Sequence, residues 1–350
     1  MPARVKREAD TKKTLIFIAI LLLCPSVCQA EEKGIFADIA RAKEALKDQT
    51  AGYEICRGRI CKADVLLAVV GPDGRIGIVK IDSAGDVTGK DQIEFDHLDR
   101  GMGAAFSVDE KGCLILAMKR AARDRYGRIK DEVYVPYSEQ MDTREMRRLG
   151  MAYLRSVIAR AREKLKILRV KSMAYPGKLV ADTVPSDVPV TIALVEHIDP
   201  DDFNACQRAK KPITPLIDKV LVTLALNREE AYRFCDSTAC ARGLFQLTPL
   251  TYNLIRKKYP EALLHPDFVS GTEDQVNAAM AAFLLFDSDL NSLDRARLNY
   301  FRRRPELKRL FIAASYNGGS GRAAHNRLLR ETKNYIKKFK AVWINFFRPY

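Results

Sequence analysis

The sequence predicts an α+β protein in which a small domain of strands and helices precedes a mostly helical domain. Strand signals separated by turn residues are concentrated in residues 64–135, whereas helical periodicity dominates from residue 188 onward. Residues 173–187 lie between these regions, are rich in proline and are interpreted as a linker. The expected domains are therefore residues 31–172 and 188–350, and each is long enough to bury its own core.

The first domain has the pattern of antiparallel hairpins. Residues 64–70 are apolar and β-branched, residues 71–74 have the turn sequence GPDG, and residues 76–81 alternate between apolar and polar side chains. This pattern predicts a β-hairpin. A second hairpin is expected within residues 105–118, followed by a strand at residues 132–135.

Two amphipathic helices are expected beside these strands. Residues 35–47 form a short one, and residues 143–170 form a longer one with many Arg and Lys side chains. The basic face of the longer helix is consistent with contact with an anionic surface. The alternative is a solvated outer face, which is common for charged helix faces.

The second domain is predicted to be helical almost throughout. Apolar residues recur at helical spacing in six segments: 190–195, 215–230, 248–258, 273–290, 306–316 and 331–347.

The N-terminal residues 1–30 have the pattern of a secretory signal peptide. Five basic residues lie between Arg4 and Lys13, residues 14–23 are apolar, and Ala30 ends a small-residue cleavage site. The apolar run is short for a membrane span, so the alternative of an uncleaved signal anchor is less favoured. We therefore expect an exported protein of the periplasm or cell envelope.

The charge balance favours an anionic partner. Lys and Arg number 59 against 44 Asp and Glu, which gives a formal net charge of +15. Such an excess is typical of binding to nucleic acid, a membrane surface or an acidic polymer. Export makes nucleic acid an unsuitable target, so an anionic polymer of the envelope is expected.

The cysteines predict disulfides rather than a metal site. Of eight cysteines, two lie in the signal segment, and the other six are Cys56, Cys61, Cys113, Cys206, Cys235 and Cys240. The pairs Cys56–Cys61 and Cys235–Cys240 are close in sequence, which leaves Cys113–Cys206, although six cysteines allow fifteen connectivities. Buried free thiols are the alternative. No histidine stands at zinc-ligand spacing, so neither a metal nor another cofactor is expected.

Three segments of the second domain form an ordered set of motifs. Residues 237–249 have the sequence STACARGLFQLTP, residues 313–322 have AASYNGGSGR, and residues 331–336 have ETKNYI. An asparagine-containing helical segment, residues 271–290, lies between the first two motifs.

These motifs resemble those of the lytic transglycosylases, whose catalytic domain has a goose-lysozyme-like helical fold. The resemblance covers roughly residues 188–343, and three motifs in the family's order are more specific than any one alone. It implies cleavage of the MurNAc–GlcNAc bond of peptidoglycan, with formation of 1,6-anhydro-MurNAc ends. The matching positions place Ser237 and Tyr335 among the residues of the site.

The residue types of these motifs also suit carbohydrate recognition. Gly243 allows close approach of the backbone, and Gln246 offers an amide. Tyr316 and Asn317 offer a phenol and an amide before a glycine-rich turn. Considered without the other motifs, the glycine-rich segment could also be an ordinary helix C-cap followed by a turn.

Cleavage of a glycosidic bond requires a carboxylic acid, and two glutamates compete for the role. The family's spacing to Ser237 indicates Arg228, which cannot act as an acid, so the adjacent Glu229 is preferred if the next loop is one residue shorter. Glu196 is the rival, because it also ends an apolar helix. Choosing Glu196 requires an insertion of more than thirty residues before Ser237. Glu230, or no acid at all, is the remaining alternative.

The sequence therefore predicts an exported lytic transglycosylase acting on glycan strands. The alternatives are a non-catalytic glycan-binding or scaffold protein on the same fold and a lysozyme-type hydrolase. The same reaction could serve turnover of the wall or local opening of the wall for a partner assembly of the envelope.

Overall fold

A computed structural model describes residues 34–56, 59–81, 87–88, 113–123, 128–233 and 240–347. The chain divides into two compact units, and the division falls after residue 135. The expected signal segment, residues 1–30, lies outside the described residues.

The first unit contains one helix and two antiparallel sheets. Its elements are α1 (residues 34–47), β1 (Tyr53–Cys56), β2 (Arg59–Ala63), β3 (Val65–Val70), β4 (Ile76–Ile81), β5 (Val87–Thr88), β6 (Leu114–Arg123) and β7 (Ile129–Tyr134). Strands β1 and β2 pair with each other, and the other five form a sheet in the order β5-β4-β3-β6-β7.

The expected hairpin of residues 64–81 is confirmed. Val65 lies opposite Ile81, and Val70 lies opposite Ile76, in antiparallel register. Gly74 completes the connecting turn with φ of 74°, a conformation that glycine adopts without steric cost. The strand expected at 113–118 is confirmed as part of β6, whereas residues 105–107 lie outside the described part of the chain.

A buried lysine joins α1 to the large sheet. The Nζ atom of Lys119 on β6 donates to the carbonyls of Leu46 and Lys47 at 2.9 Å, and also to that of Gln49. It lies 3.0 Å from Asp131 on β7. These carbonyls end α1 and lack partners within the helix, so the ammonium caps it.

The second unit is a bundle of helices. They are α2 (Arg144–Ile167), α3 (Val180–Thr183), α4 (Asp187–Glu196), α5 (Pro200–Arg208), α6 (Thr214–Asn227), α7 (Pro249–Lys258), α8 (Phe268–Glu273), α9 (Gln275–Asn291), α10 (Arg295–Arg303), α11 (Pro305–Gly318), α12 (Ser320–Ala324) and α13 (Arg330–Phe347). Helices α4 and α9 are buried along most of their length and form the centre of the core. None of the described helices is long and apolar enough to cross a membrane.

The expected domain boundary is wrong, because the basic helix α2 belongs to the helical unit. Its apolar face packs against α6 and α9, and Leu154, Val157 and Ile158 are fully or almost fully buried there. Several of its outward cations pair with carboxylates of this unit, including Arg147 with Asp218 at 3.1 Å. The strands before residue 136 therefore form the small domain without α2.

The expected linker, residues 173–187, is an ordered part of the helical core. Asp287 of α9 is fully buried and accepts hydrogen bonds from the Ser172 hydroxyl at 2.5 Å and the Met173 amide at 2.8 Å. The Tyr259 hydroxyl donates to the same carboxylate at 2.9 Å. Such bonds fix a proline-rich segment that would be a flexible connector in isolation.

The close packing of α2 on α6 leads to a testable prediction. A Cβ atom at Gly150 would lie 1.9 Å from the backbone oxygen of Leu221, so the two helices would have to separate. We expect Gly150→Ala to lower the free energy of unfolding by about 1–3 kcal/mol, as overpacking does. Gly321→Ala is the matched control, because no atom lies within 4 Å of its Cβ. Urea unfolding that finds the two variants equally stable would contradict this packing.

One of the three expected disulfides is present. Cys56 and Cys61 are bonded and connect β1 to β2 across their short loop. Closure of so short a loop adds little stability in the chain-entropy account.

The other expected pairs are not formed as predicted. Cys206 on α5 has a free thiol that packs against the helical core, so the Cys113–Cys206 pair is wrong. The two cysteines belong to different units of the chain. Cys240 also has a free thiol, which is exposed, and Cys235 lies outside the described residues.

Candidate active site

Glu196 is the last residue of the buried helix α4. The preceding apolar residues pack into the core on every side, which holds the end of the helix rigidly. Glu196 as a whole residue is partly buried rather than fully enclosed. Its position therefore combines a fixed backbone with a residue at the margin of the core.

Helix α13 supplies the nearest polar partners of Glu196. The Tyr335 hydroxyl donates a hydrogen bond of 2.5 Å to Oε1 of Glu196. One turn along the same face, Lys338 donates from Nζ to the backbone oxygen of Ile198 at 2.8 Å. Tyr335 and Lys338 are both buried, so this contact excludes solvent from one side of the carboxyl group.

The surroundings raise the pKa of Glu196 towards neutral pH. Burial raises the pKa of Glu196 to about 7, while the hydrogen bond from Tyr335 and the charge of Lys338 act in the opposite direction. Desolvation therefore outweighs the two groups that favour the carboxylate. A carboxylic acid with this pKa can donate a proton at physiological pH.

The first motif forms a tight turn. The backbones of Arg242 and Leu247 bond to each other in both directions, at 3.0 and 3.2 Å. Gly243 has φ of 74°, and a Cβ atom there would lie 2.4 Å from the backbone oxygen of Thr272, so only glycine fits. Gln246 has φ of 45° and donates from Nε2 to the backbone oxygen of Gly243 at 2.9 Å.

Two side chains hold this turn against the end of α4 and against α11. His197 follows Glu196, and its Nε2 lies 3.0 Å from the backbone oxygen of Leu244. The Tyr316 hydroxyl donates to the backbone oxygen of Phe245. Burial, and after it the charge of Glu196, raises the pKa of Tyr316. The third motif thus bonds directly to Glu196 through Tyr335, whereas the first motif bonds to the neighbouring His197 and the second bonds to the first.

His197 acts in this arrangement as a neutral hydrogen-bond donor. Burial lowers its pKa to about 3, so the ring carries no charge at neutral pH and Nε2 holds a proton for the Leu244 carbonyl. The Tyr232 ring stacks on it, with ring centroids 3.5 Å apart. His197 and Lys338 were not singled out from the sequence. They follow Glu196 and Tyr335 by one and three residues, so their sequence proximity to these two candidates could have identified them.

The second motif ends α11 at the glycine-rich turn. Asn317 is exposed, and Gly319 adopts φ of 84° at the end of the helix. A Cβ atom at Gly318 would lie 2.6 Å from the hydroxyl oxygen of Thr332 on α13, so this glycine permits close packing of α11 on α13. Ser237, the first residue of the first motif, lies outside the described residues.

Glu229 and Glu230 occupy a different environment. They are exposed on a single 3-10 turn that follows α6. The backbone there is held by Gln275, whose Nε2 donates to the carbonyl of Arg228 at 3.0 Å. No described hydrogen bond joins either carboxylate to Tyr316 or Tyr335.

The described residues contain no cluster of three or more His, Cys, Asp or Glu that could hold a metal ion. The described polar partners of Glu196 are the hydroxyl of Tyr335 and the nearby ammonium group of Lys338, and groups of these kinds can also bind sugar hydroxyls and acyl oxygens.

Comparisons of the chain with protein-family models, curated proteins and solved structures found no match.

The raised pKa of Glu196 makes a prediction about stability. A group whose pKa is raised on folding, here from an ordinary 4.5 to about 7, stabilises the protein fully below pH 4.5 and loses that contribution as pH rises through 7. Glu196→Gln lacks this pH-dependent contribution. Between pH 5 and pH 8 we therefore expect its free energy of unfolding to rise by about 2–3 kcal/mol relative to that of the unmodified protein.

Urea unfolding at the two pH values measures this difference. The contribution of His197, which is lost as pH falls below its ordinary pKa of 6.5, is common to both proteins and cancels. Glu229→Gln is the control, because that side chain is exposed. An equal pH dependence in all three proteins would contradict the raised pKa.

Proposed function

We propose that the protein is an exported peptidoglycan lytic transglycosylase in which Glu196 is the single acid and base. It would cleave the MurNAc–GlcNAc bond and leave 1,6-anhydro-MurNAc ends. The proposal is supported by the resemblance of the three motifs and by the contacts that join them to Glu196, to His197 or to one another.

The observation that carries the proposal is the environment of Glu196. Glu196 is partly buried, and its carboxyl group has a pKa raised to about 7 and accepts a hydrogen bond from Tyr335. The next residue, His197, bonds to the turn that contains Gln246. A carboxyl group with a pKa near neutrality can serve as the general acid that glycosidic cleavage requires.

The proposed reaction uses one carboxyl group twice. Protonated Glu196 donates its proton to the glycosidic oxygen while the bond from that oxygen to the anomeric carbon breaks. The resulting carboxylate then accepts the proton of the MurNAc 6-hydroxyl, whose oxygen bonds to the anomeric carbon. The leaving GlcNAc keeps the first proton, so Glu196 ends the cycle protonated, and the two-carboxylate geometry of ordinary glycosidases is not needed.

Glu196 replaces Glu229 as the preferred acid in this proposal. Glu229 is exposed on a 3-10 turn, and no described hydrogen bond joins its carboxyl group to Tyr316 or Tyr335. The long segment between Glu196 and the first motif, which argued against Glu196, contains helices α5 and α6. It is therefore an insertion of folded structure rather than a loop.

The side of Glu196 open to solvent would bind the glycan. Gln246 is partly buried in its turn, Asn317 is exposed, and Gly319 adds backbone without a side chain. Amide groups of this kind donate to and accept from sugar hydroxyls and N-acetyl groups. The proposed fold of residues 136–347 is a lysozyme-like helical domain with an added small domain of unassigned role.

Export and an anionic target complete the proposal. The N-terminal signal pattern and the Cys56–Cys61 disulfide are both suited to an oxidising compartment. The formal net charge of +15 suits an acidic wall polymer.

Digestion of purified peptidoglycan followed by mass analysis tests the proposal. We expect muropeptides with 1,6-anhydro ends. Each is lighter than the corresponding hydrolysed product by one water molecule, about 18 Da. Reducing ends would identify a lysozyme-type hydrolase instead. Binding to the wall without any cleavage would identify a glycan-binding or scaffold protein.

A further inference from the structure

A basic cavity lies between α5 and α13, away from the described contacts of Glu196. Its volume is about 430 Å³. Its walls carry four cationic side chains, Arg208, Arg330, Lys333 and Lys337. No acidic side chain lines it, so the cavity is suited to a ligand with more than one negative charge.

The four cations are not used by the fold. None of them forms a salt bridge with a carboxylate in the described part of the chain, although many other cations of the helical unit do. All four are exposed, and Asp201 and Asp202 lie in the first turn of α5, whereas Arg208 lies in its last. Their charges are therefore available to a ligand.

Amide groups stand among the cations. Asn204 and Gln207 on α5, together with Asn334 on α13, line the same cavity. An amide both donates and accepts hydrogen bonds, which matches a peptide bond, whereas a phosphodiester only accepts. The combination favours a peptide with free carboxylates over a phosphate polymer.

The position of the cavity connects it to the candidate active site. Helix α5 begins at Pro200, four residues after Glu196, and α13 also supplies Tyr335, which donates to Glu196. The cavity is thus built from a helix that follows the candidate acid in the chain and from the helix whose Tyr335 bonds to that acid.

We propose that this cavity binds the carboxylates of an acidic stem peptide of peptidoglycan. The inference rests on the proposed function, because it assigns a second part of the same substrate. On one face of α13, Arg330 and Lys337 are seven residues apart, which separates them by about 10 Å along the helix. That separation suits two carboxylates of one short peptide.

Calorimetry with a free peptide tests the proposal. The probe is L-alanyl-γ-D-glutamyl-meso-diaminopimelate, which carries no sugar, added to the mature protein at low salt. We expect saturable binding that is about three- to tenfold weaker in the Lys333→Gln, Lys337→Gln double variant. Lys340→Gln is the matched control, because this exposed lysine is on α13 but outside the cavity, and it should bind as the unmodified protein does.

Two further arms distinguish the ligand chemistry. The same peptide with its carboxylates converted to carboxamides should lose binding, and inorganic phosphate should bind more weakly than the peptide. Equal binding of the carboxamide, equal binding of phosphate, or equal effects of the double variant and Lys340→Gln would each overturn the inference. Cleavage of wall without peptide binding would reject only this inference, and peptide binding without cleavage would reject only the proposed activity.

Discussion

Replacing Glu196 by Gln is expected to lower the rate of wall cleavage by about 10²–10⁴-fold. The amide keeps the size of the side chain and can still accept the hydrogen bond that Tyr335 donates to Oε1 at 2.5 Å. It has no acidic proton to give to the glycosidic oxygen, and no second carboxyl group is bonded to Tyr335 within the described residues. Release of muropeptides from purified wall measures the rate.

Glu229→Gln is the matched control for this substitution. Because Glu229 is exposed on its 3-10 turn, we expect this variant to keep its cleavage rate and its stability. Binding to insoluble wall should survive in both variants, since Gln246 and Asn317 are unchanged. If Glu196→Gln keeps full activity and Glu229→Gln loses it, Glu229 is the acid, as the sequence had favoured.

Replacing Tyr335 by Phe is expected to change the pH dependence of the reaction. The hydrogen bond from Tyr335 stabilises the ionised form and lowers the pKa of Glu196, so its loss raises that pKa further. An acid is active while protonated, and the alkaline limb of the pH–rate profile should therefore move to higher pH. The maximal rate should fall by about tenfold, because the carboxyl group loses a partner that fixes its orientation.

Tyr316→Phe separates this effect from a general loss of a hydroxyl group. The Tyr316 hydroxyl donates to the backbone oxygen of Phe245 rather than to the acid. We expect a smaller loss of rate and an alkaline limb at its original pH. A limb that stays in place in Tyr335→Phe, or moves to lower pH, would show that Tyr335 does not act on Glu196.

The elements with strong periodicity were predictable from the sequence. The β3–β4 hairpin was found because its strands alternate and a GPDG turn joins them. The long helices α9 and α13 were found because their apolar residues recur at helical spacing. In these segments, local pattern and final environment agree.

Short polar helices were missed, because their stability comes from capping and tertiary contact. In α5, Phe203 is the single buried residue, while Asp199 caps the helix by accepting from two backbone amides. In α10, Leu298 is the single buried residue, and Asp294 provides the cap. The apolar face of each helix is only one turn long, Phe203 with Cys206 and Leu298 with Phe301, which is too short for a periodic pattern to stand out.

The interpretation of the linker failed for a related reason. Prolines and polar residues at 173–187 are typical of a connector, but Asp287, more than one hundred residues away in sequence, binds Ser172 and Met173. Burial of the carboxylate makes those hydrogen bonds costly to break. Contacts between residues so far apart in sequence cannot be inferred from the composition of one segment.

The site residues of the motifs were accessible from the sequence, but the position of the acid was not. The motifs identified Tyr335, which bonds to Glu196, and also Tyr316 and Gln246, which bond to the turn that His197 binds. Spacing alone favoured Glu229, because counting residues cannot recognise that a folded helical pair separates Glu196 from the first motif. Which carboxyl group is desolvated depends on the packing of α13 against the end of α4.

A carbon-13 NMR titration of the Glu196 carboxyl group tests the account most directly. The resonance can be assigned by its absence from the spectrum of Glu196→Gln. Since burial outweighs the effects of Tyr335 and Lys338, we expect it to titrate with a pKa of about 7. A pKa at or below the ordinary value of 4.5 would contradict the account, because Glu196 would then hold no proton to donate at neutral pH.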